Sequence, residues 1–320
     1  MEDEGTLRLV TKVARLYHTH GLRQTEIAAR MGISQSKVSR LLQEAEDSGI
    51  VRTVVAAPIH LHPELEEQLE KLYGLDEAHV VETVGVNEAE VVRDLATAAA
   101  AILGELTIEA PTVAWTSWSR TLRAIVDALL PLRIGTKSVV EMVGDLGPPD
   151  LQHESARSTQ RLAMLLGAEP VFLRTPGVVP TPEVARALVG QDGYAREALD
   201  MLDDIDLALI SIGAIQPSLP LEAGRSFFTE DQLRQAEHAG AVGEICLRYL
   251  DAEGKPVETG LDELTIGVSL EQLSRARRRW AVVEGSRKLA AIRGVLAGGW
   301  VDVLVTDLQT AHQLATDGSR

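Results

Sequence analysis

The sequence predicts an α/β protein that carries a small helical head at its N-terminus. Three observations predict it. Apolar residues recur at helical spacing through residues 6–50. From about residue 77 onward, short β-branched runs alternate with helical stretches, a pattern that implies a mostly parallel sheet. Positive charge gathers in the head of a chain that is otherwise acidic.

Composition bounds the possibilities. The 320 residues allow about two domains. Against 47 Asp+Glu stand 31 Lys+Arg, for a net charge of −16. So acidic a surface does not bind polyanions generally, and any nucleic-acid contact must come from a local basic patch. The single cysteine, Cys246, excludes a disulfide framework and a Cys-based zinc site, and is compatible with a reducing compartment. The N-terminus MEDEGTLRLV is acidic and has no apolar core of a signal peptide. No apolar run approaches the ~18 residues of a membrane span, so a cytoplasmic protein is expected.

In chain order, the helical region 6–50 leads into a short strand at 51–57 (VRTVVAA). Pro58 and IHLHP interrupt the pattern. Residues 63–73 then form an amphipathic helix with Leu65, Leu69 and Leu72 on one face. Strands are expected at 78–82, 112–116, 137–143, 170–173, 206–212, 244–250, 279–283 and 301–305, with helices at 87–106, 154–166, 193–202, 286–297 and 307–315 among others. The division is residues 1–57 as the head, 58–76 as a linker helix and 77–320 as the α/β body. There is no internal repeat and no low-complexity tract.

The head carries the most specific motif, QTEIAARMGISQSKVSRLLQEA (24–45). Two short helices that cross at a tight turn need a small residue at the crossing, and Ala28 supplies it. The turn needs a residue tolerant of positive φ, and Gly32 sits four positions later. Ile27, Met31, Ile33, Val38 and Leu41 fall where the packed faces need apolar groups. Ser34 is placed to cap the second helix, and Gly49 follows its end. Upstream, Leu9, Val13, Leu16 and Tyr17 form the apolar stripe of a third helix. This is a helix-turn-helix with residues 34–47 as recognition helix. Charge agrees: residues 8–40 hold Arg8, Lys12, Arg15, Arg23, Arg30, Lys37 and Arg40 against one acid, Glu26. Residues early in the recognition helix reach base edges, which nominates Gln35, Ser36 and Ser39, with Arg40 on a guanine or a phosphate. Lys37 and Arg23 are phosphate contacts, and Gln24, Thr25 and Ser34 complete the DNA-facing set.

The run VARLYHTHGLRQTEIAARMGISQSKVSRLLQEAEDSGIV, continued by PELEEQLEKLYGLDEAHVV, resembles the N-terminus of the SorC family of sugar-responsive bacterial transcription regulators. The likeness returns in AVGEICLRYLDAEGKPV, TIGVSLEQL and GWVDVLVTDLQTAHQLA, and so covers nearly the whole chain. The resemblance implies a Rossmann-like effector-binding domain similar to ribose-phosphate isomerase and glucosamine-phosphate deaminase. It also implies a double-stranded DNA operator, a carbohydrate effector that is usually phosphorylated, and a homo-oligomer, dimer or tetramer.

An open α/β sheet binds ligands beyond the carboxyl ends of its strands, where helix N-termini favour phosphate. The first candidate loop there, TSWSRT, offers Thr116, Ser117, Ser119 and Thr121 hydroxyls and the Arg120 cation. The second, GDLGPP, offers Gly144 for close backbone approach and Asp145 for sugar hydroxyls. The third, EGSRK, offers Glu284, Gly285 and Lys288, and the loop holding Gly213 and Ala214 is a fourth wall. The family usually has a Trp-Gly-x-Thr-like pattern in the first loop, where this chain has Trp118-Ser119-Arg120-Thr121. In the third, the family typically has Gly-Gly before the lysine that holds phosphate. Here Glu284 replaces the first glycine, and a carboxylate beside a phosphate is unfavourable unless cations outnumber it, so the effector stays open between a phosphorylated sugar and a neutral polyol or sugar that uses Glu284 as a hydroxyl acceptor.

No catalytic set, cofactor or metal is expected. The histidines are scattered, and His60-x-His62 lacks a third ligand nearby. The run Arg275, Arg277, Arg278, Arg279 is read as solvated surface in preference to a second DNA contact. Two other readings stand beside a regulator. One is a sugar-phosphate isomerase or deaminase with Glu284 or Asp145 as base. The other is a constitutive DNA binder with a vestigial pocket.

Overall fold

The computed structural model describes residues 4–51, 62–85, 87–216 and 227–317. The chain divides near residue 55 into two compact units.

The first unit is helical. Helix α1 (Glu4–Ala14) runs into a π-helical turn, Arg15–Thr19, and is succeeded by α2 (Gln24–Met31) and α3 (Gln35–Asp47). Val10, Val13, Leu16, Ile27, Ala28, Val38, Leu41 and Leu42 close one small core. The π turn adds a residue to the helical repeat and rotates the side chains beyond it out of register. Tyr17, expected in the apolar stripe, lies within this turn and is exposed at 39%, while Val10, ahead of the turn in α1, is buried. The strand expected at 51–57 lies, from residue 52, outside the described residues.

In the second unit, α4 (Pro63–Tyr73) begins with proline at its first turn and ends on Gly74. The main sheet has seven parallel strands: β1 (Glu77–Val81), β2 (Thr112–Trp115), β3 (Ser138–Glu141), β4 (Glu169–Val171), β5 (Leu207–Ile210), β9 (Arg279–Val283) and β10 (Val303–Asp307). Their spatial order is β1-β10-β9-β5-β2-β3-β4. Both faces are covered, as parallel sheets require. Val113, Trp115, Leu207, Leu209, Trp280 and Val282 point to one core, which is packed by α5 (Glu88–Gly104), α6 (Arg120–Ala128) and α7 (Pro149–Leu166). The alternate residues Ala114, Ala208, Ile210, Ala281 and Val283 point to the other. That face is shared with α10 (Glu230–His238), α12 (Leu289–Ala297) and α13 (Leu308–Asp317). Helices α8 (Pro182–Gln191), α9 (Gly193–Asp200) and α11 (Leu270–Arg275) complete the unit.

Two expectations change. The stretch 206–212 leaves the main sheet after Ile210 and enters a small antiparallel sheet as β6 (Ile212–Gly213). The stretch 244–250 is a hairpin, β7 (Gly243–Ile245) and β8 (Arg248–Leu250), instead of one strand. Ile245 pairs with Arg248, so Cys246 and Leu247 alone make the turn, both at positive φ (51° and 63°). The apolar run Ile245-Cys246-Leu247 continues through this turn without the usual Asn or Gly.

Candidate functional site

In the head, the turn between α2 and α3 is built as its residues require. Gly32 adopts φ 64°, and the Lys37 N–H donates to the Ser34 hydroxyl at 3.2 Å. Arg23, Thr25, Ser34, Gln35, Ser36, Lys37, Ser39 and Arg40 are exposed and Gln24 is half-buried. Ser34 and Ser36 join their hydroxyls at 3.0 Å. Gln35, Lys37, Ser39 and Arg40 make no side-chain hydrogen bond or ion pair among the described residues, and so keep their polar groups for a partner. Val38 is fully buried between them and anchors the helix.

In the second unit the sheet order itself locates a crevice. From β2 the chain steps outward to β3 and β4, returns to β5 on the other side of β2, and then steps the opposite way to β9 and β10. The carboxyl ends of β2, β5 and β9 thus flank a topological switch point, where open α/β sheets hold ligands. The loops 116–121 and 284–288 meet there: the Thr121 hydroxyl donates to Glu284 Oε2 at 2.9 Å, between residues 163 positions apart. Lys288 Nζ lies 3.5 Å from Glu284 Oε1. The Gly285 N–H donates to Asp307 Oδ2 and to the Thr310 hydroxyl, which brings the end of β10 in. The Thr116 hydroxyl sits 3.7 Å from Cys246 Sγ, so the β7–β8 hairpin forms the facing wall.

Several nominated residues have other partners. Ser119 caps α6 through the Leu122 N–H at 3.3 Å. Arg120 is mostly exposed and pairs with Glu88, as Arg287 also does at 2.6 Å. Hydrogen bonding from Arg120 is the main reason Glu88 is held below the usual carboxylate range. The space a side chain would need at Gly144 is filled by the Thr175 carbonyl, so the close approach there is to the chain itself. Asp145 receives Arg174 at 2.9 Å, yet burial raises its pKa against that cation. Gly213 lies under the Glu244 carboxyl, which occupies the place of a Cβ. Trp115 is core, while the Ser117 hydroxyl and the Trp118 indole N–H are buried without a hydrogen-bond partner among the described residues.

Sequence reasoning passed over Glu244 and Cys246. Glu244 Oε2 accepts the Leu247 N–H at 2.6 Å and so braces the strained turn. Burial pushes the Glu244 pKa up to about 7, with the Leu247 hydrogen bond and Lys288 drawing it partway back. Burial also pushes the Cys246 thiol up to about 12. A charged residue inside the apolar run EICLRYL was the signal available. The arginine run is largely consumed by ion pairs: Arg275 with Asp203, Arg278 with Glu77 and Arg279 with Asp302. His60 lies outside the described residues.

The family model described as "Putative sugar-binding domain" matches residues 58–316, and a MarR-family model matches residues 14–58. The deoxyribonucleoside regulator of Bacillus subtilis (strain 168) is 31% identical over 316 residues, covering 98% of this chain and 99% of that protein. The erythritol catabolism regulatory protein EryD of Brucella abortus (strain 2308) is 28% identical over 312 residues, covering 96% of both. Among solved structures, the full-length sorbitol operon regulator SorC from Klebsiella pneumoniae superposes with a TM-score of 0.72 at 26% identity, over 99% of this chain and 100% of that one.

Proposed function

The chain belongs to the SorC family of sugar-binding bacterial transcriptional regulators, and from that premise we propose how its two units divide the work. The head, residues 1–57, holds an operator in double-stranded DNA. Gln35, Ser36, Ser39 and Arg40 meet base edges, while Arg23, Gln24, Thr25, Ser34 and Lys37 hold the backbone. The body, residues 77–320, holds a carbohydrate at the switch-point crevice through Thr116, Ser117, Thr121, Gly213, Glu284, Gly285 and Lys288. Ser119, Arg120, Gly144 and Asp145 support the crevice loops. The protein works in the cytoplasm as a homo-oligomer, dimer or tetramer, so that paired heads span half-sites about 34–36 Å apart. The effector acts by binding one arrangement of the oligomer more tightly than another.

The observation that carries the DNA reading is a capped helix on which exposed Gln35, Lys37, Ser39 and Arg40 make no side-chain hydrogen bond or ion pair among the described residues, within a basic segment of an acidic chain. A regulator is favoured over an enzyme because both carboxylates nominated as bases are engaged, Glu284 by Thr121 and Lys288 and Asp145 by Arg174. The test is binding to a duplex that the purified protein selects from a random pool. Ser39→Ala with Arg40→Ala is expected to weaken it about tenfold or more, the worth of a lost base-edge contact. Unchanged affinity would overturn the recognition-helix assignment.

A further inference from the structure

The charges lining the crevice narrow the chemical class of the effector, an inference that rests on the crevice being the effector site. The cations at the crevice already have partners. Lys288 faces Glu284, whose side chain is only 4% exposed. Arg120 and Arg287 share Glu88 at the rim. Arg123, behind the first loop, donates to the Ser117 and Trp118 carbonyls. Buried Arg248 donates to the Val268, Asp262 and Gly267 carbonyls. Carboxyl groups outnumber the one ammonium nearest the loop. Besides Glu284, Asp307 bonds the Gly285 N–H, and Glu244 stands on the facing hairpin within reach of the Lys288 charge.

A phosphate dianion arriving here must draw Lys288 away from Glu284. That leaves a buried carboxylate unpaired beside a second anion, in a setting where water screens little. Neutral hydroxyls meet no such cost. Carboxylates accept their protons, and donors stand ready for their oxygens. In the first loop itself, the Ser117 hydroxyl and the Trp118 indole N–H are buried and make no hydrogen bond among the described residues. Buried donors of this kind mark where a ligand or water completes a site.

We propose that the effector is an uncharged polyhydroxy compound, a polyol or unphosphorylated sugar, and that the Glu284–Lys288 pair selects it over its phosphate ester. Glu284 thus serves twice: it neutralises the Lys288 ammonium that would hold a phosphate, and it offers an acceptor to a hydroxyl.

The test uses the full-length protein and isothermal titration with erythritol, ribitol, D-glucitol and D-ribose, each set against its terminal monophosphate. At least one neutral compound is expected to bind about tenfold or more tightly than its own phosphate. In Glu284→Gln the Thr121 donor keeps an acceptor while Lys288 is released. Phosphate-ester affinity is expected to rise about tenfold there as affinity for the neutral compound falls. Tighter binding of a phosphate ester by the unaltered protein overturns this inference and leaves the crevice reading standing. Absence of binding by every compound in both forms overturns the crevice reading, and this inference with it. Should Glu284→Gln fail to fold, the comparison on the unaltered protein decides alone.

Discussion

Glu244→Gln isolates the most consequential titration in the body. The amide keeps an oxygen for the Leu247 N–H, which the carboxylate accepts at 2.6 Å, but it cannot ionise. Glu244 is raised from the ordinary 4.5 to about 7 by burial. A carboxyl raised on folding favours the folded state fully only while both states hold the proton, below pH 4.5, and that contribution is lost as pH rises through about 7. At about 1.36 kcal/mol per unit, the loss amounts to about 3 kcal/mol as an upper figure, since the side chain keeps partial contact with water. Urea unfolding from pH 5 to pH 8 measures it. Trp115, Trp118, Trp280 and Trp300 are the chain's 4 tryptophans, all in the second unit, so their fluorescence reports on that unit alone. Burial also raises Glu141 and Asp145, which bend both profiles the same way and cancel in the difference. The stability of Glu244→Gln relative to the unaltered chain should climb across this range. A difference that stays constant from pH 5 to pH 8 would refute the reasoning.

Three further outcomes are expected. Gly32→Ala places a side chain at φ 64°, so the head should lose about 1 kcal/mol, read by far-UV circular dichroism, with the tryptophan transition unmoved. Gly243→Ala brings a methyl within 2.1 Å of the Ala291 Cβ, forcing the hairpin off α12 at a cost of about 1–3 kcal/mol in urea unfolding. Cys246 is buried with its thiol pushed up to about 12, so a thiol reagent should modify the native protein far more slowly than the unfolded one, and a bound polyol should slow it further.

The head was legible almost residue by residue because its contacts are local. Ala28, Gly32 and Ser34 act on neighbours within a turn or two, and their spacing is visible in the chain. Tyr17 was misplaced for an equally local reason, a π turn that no periodicity announces. In the body, buried parallel strands are continuous apolar runs, so β2, β5 and β9 could be read as strands, but the order β1-β10-β9-β5-β2-β3-β4 could not. The hairpin escaped because the apolar run Ile245-Cys246-Leu247 continues through it, with neither Asn nor Gly at the turn. Positive φ at Cys246 and Leu247 is held by a Glu244 carboxylate and by packing on α12, both supplied from outside the turn dipeptide.

By itself, the sequence determined the two-unit plan, the helix-turn-helix, and the three loops at strand ends where a ligand would be sought. These come from periodicity, capping and charge, which act over a few residues. Only the tertiary structure decided which loops meet. It joined Thr121 to Glu284 and turned Gly144 toward its own chain. It also gave Lys288 a buried counter-ion and set Glu244 against Gly213. The reason is physical: the field at a charged group depends on what folding brings within a few ångströms of it, and sequence separation carries no such distance.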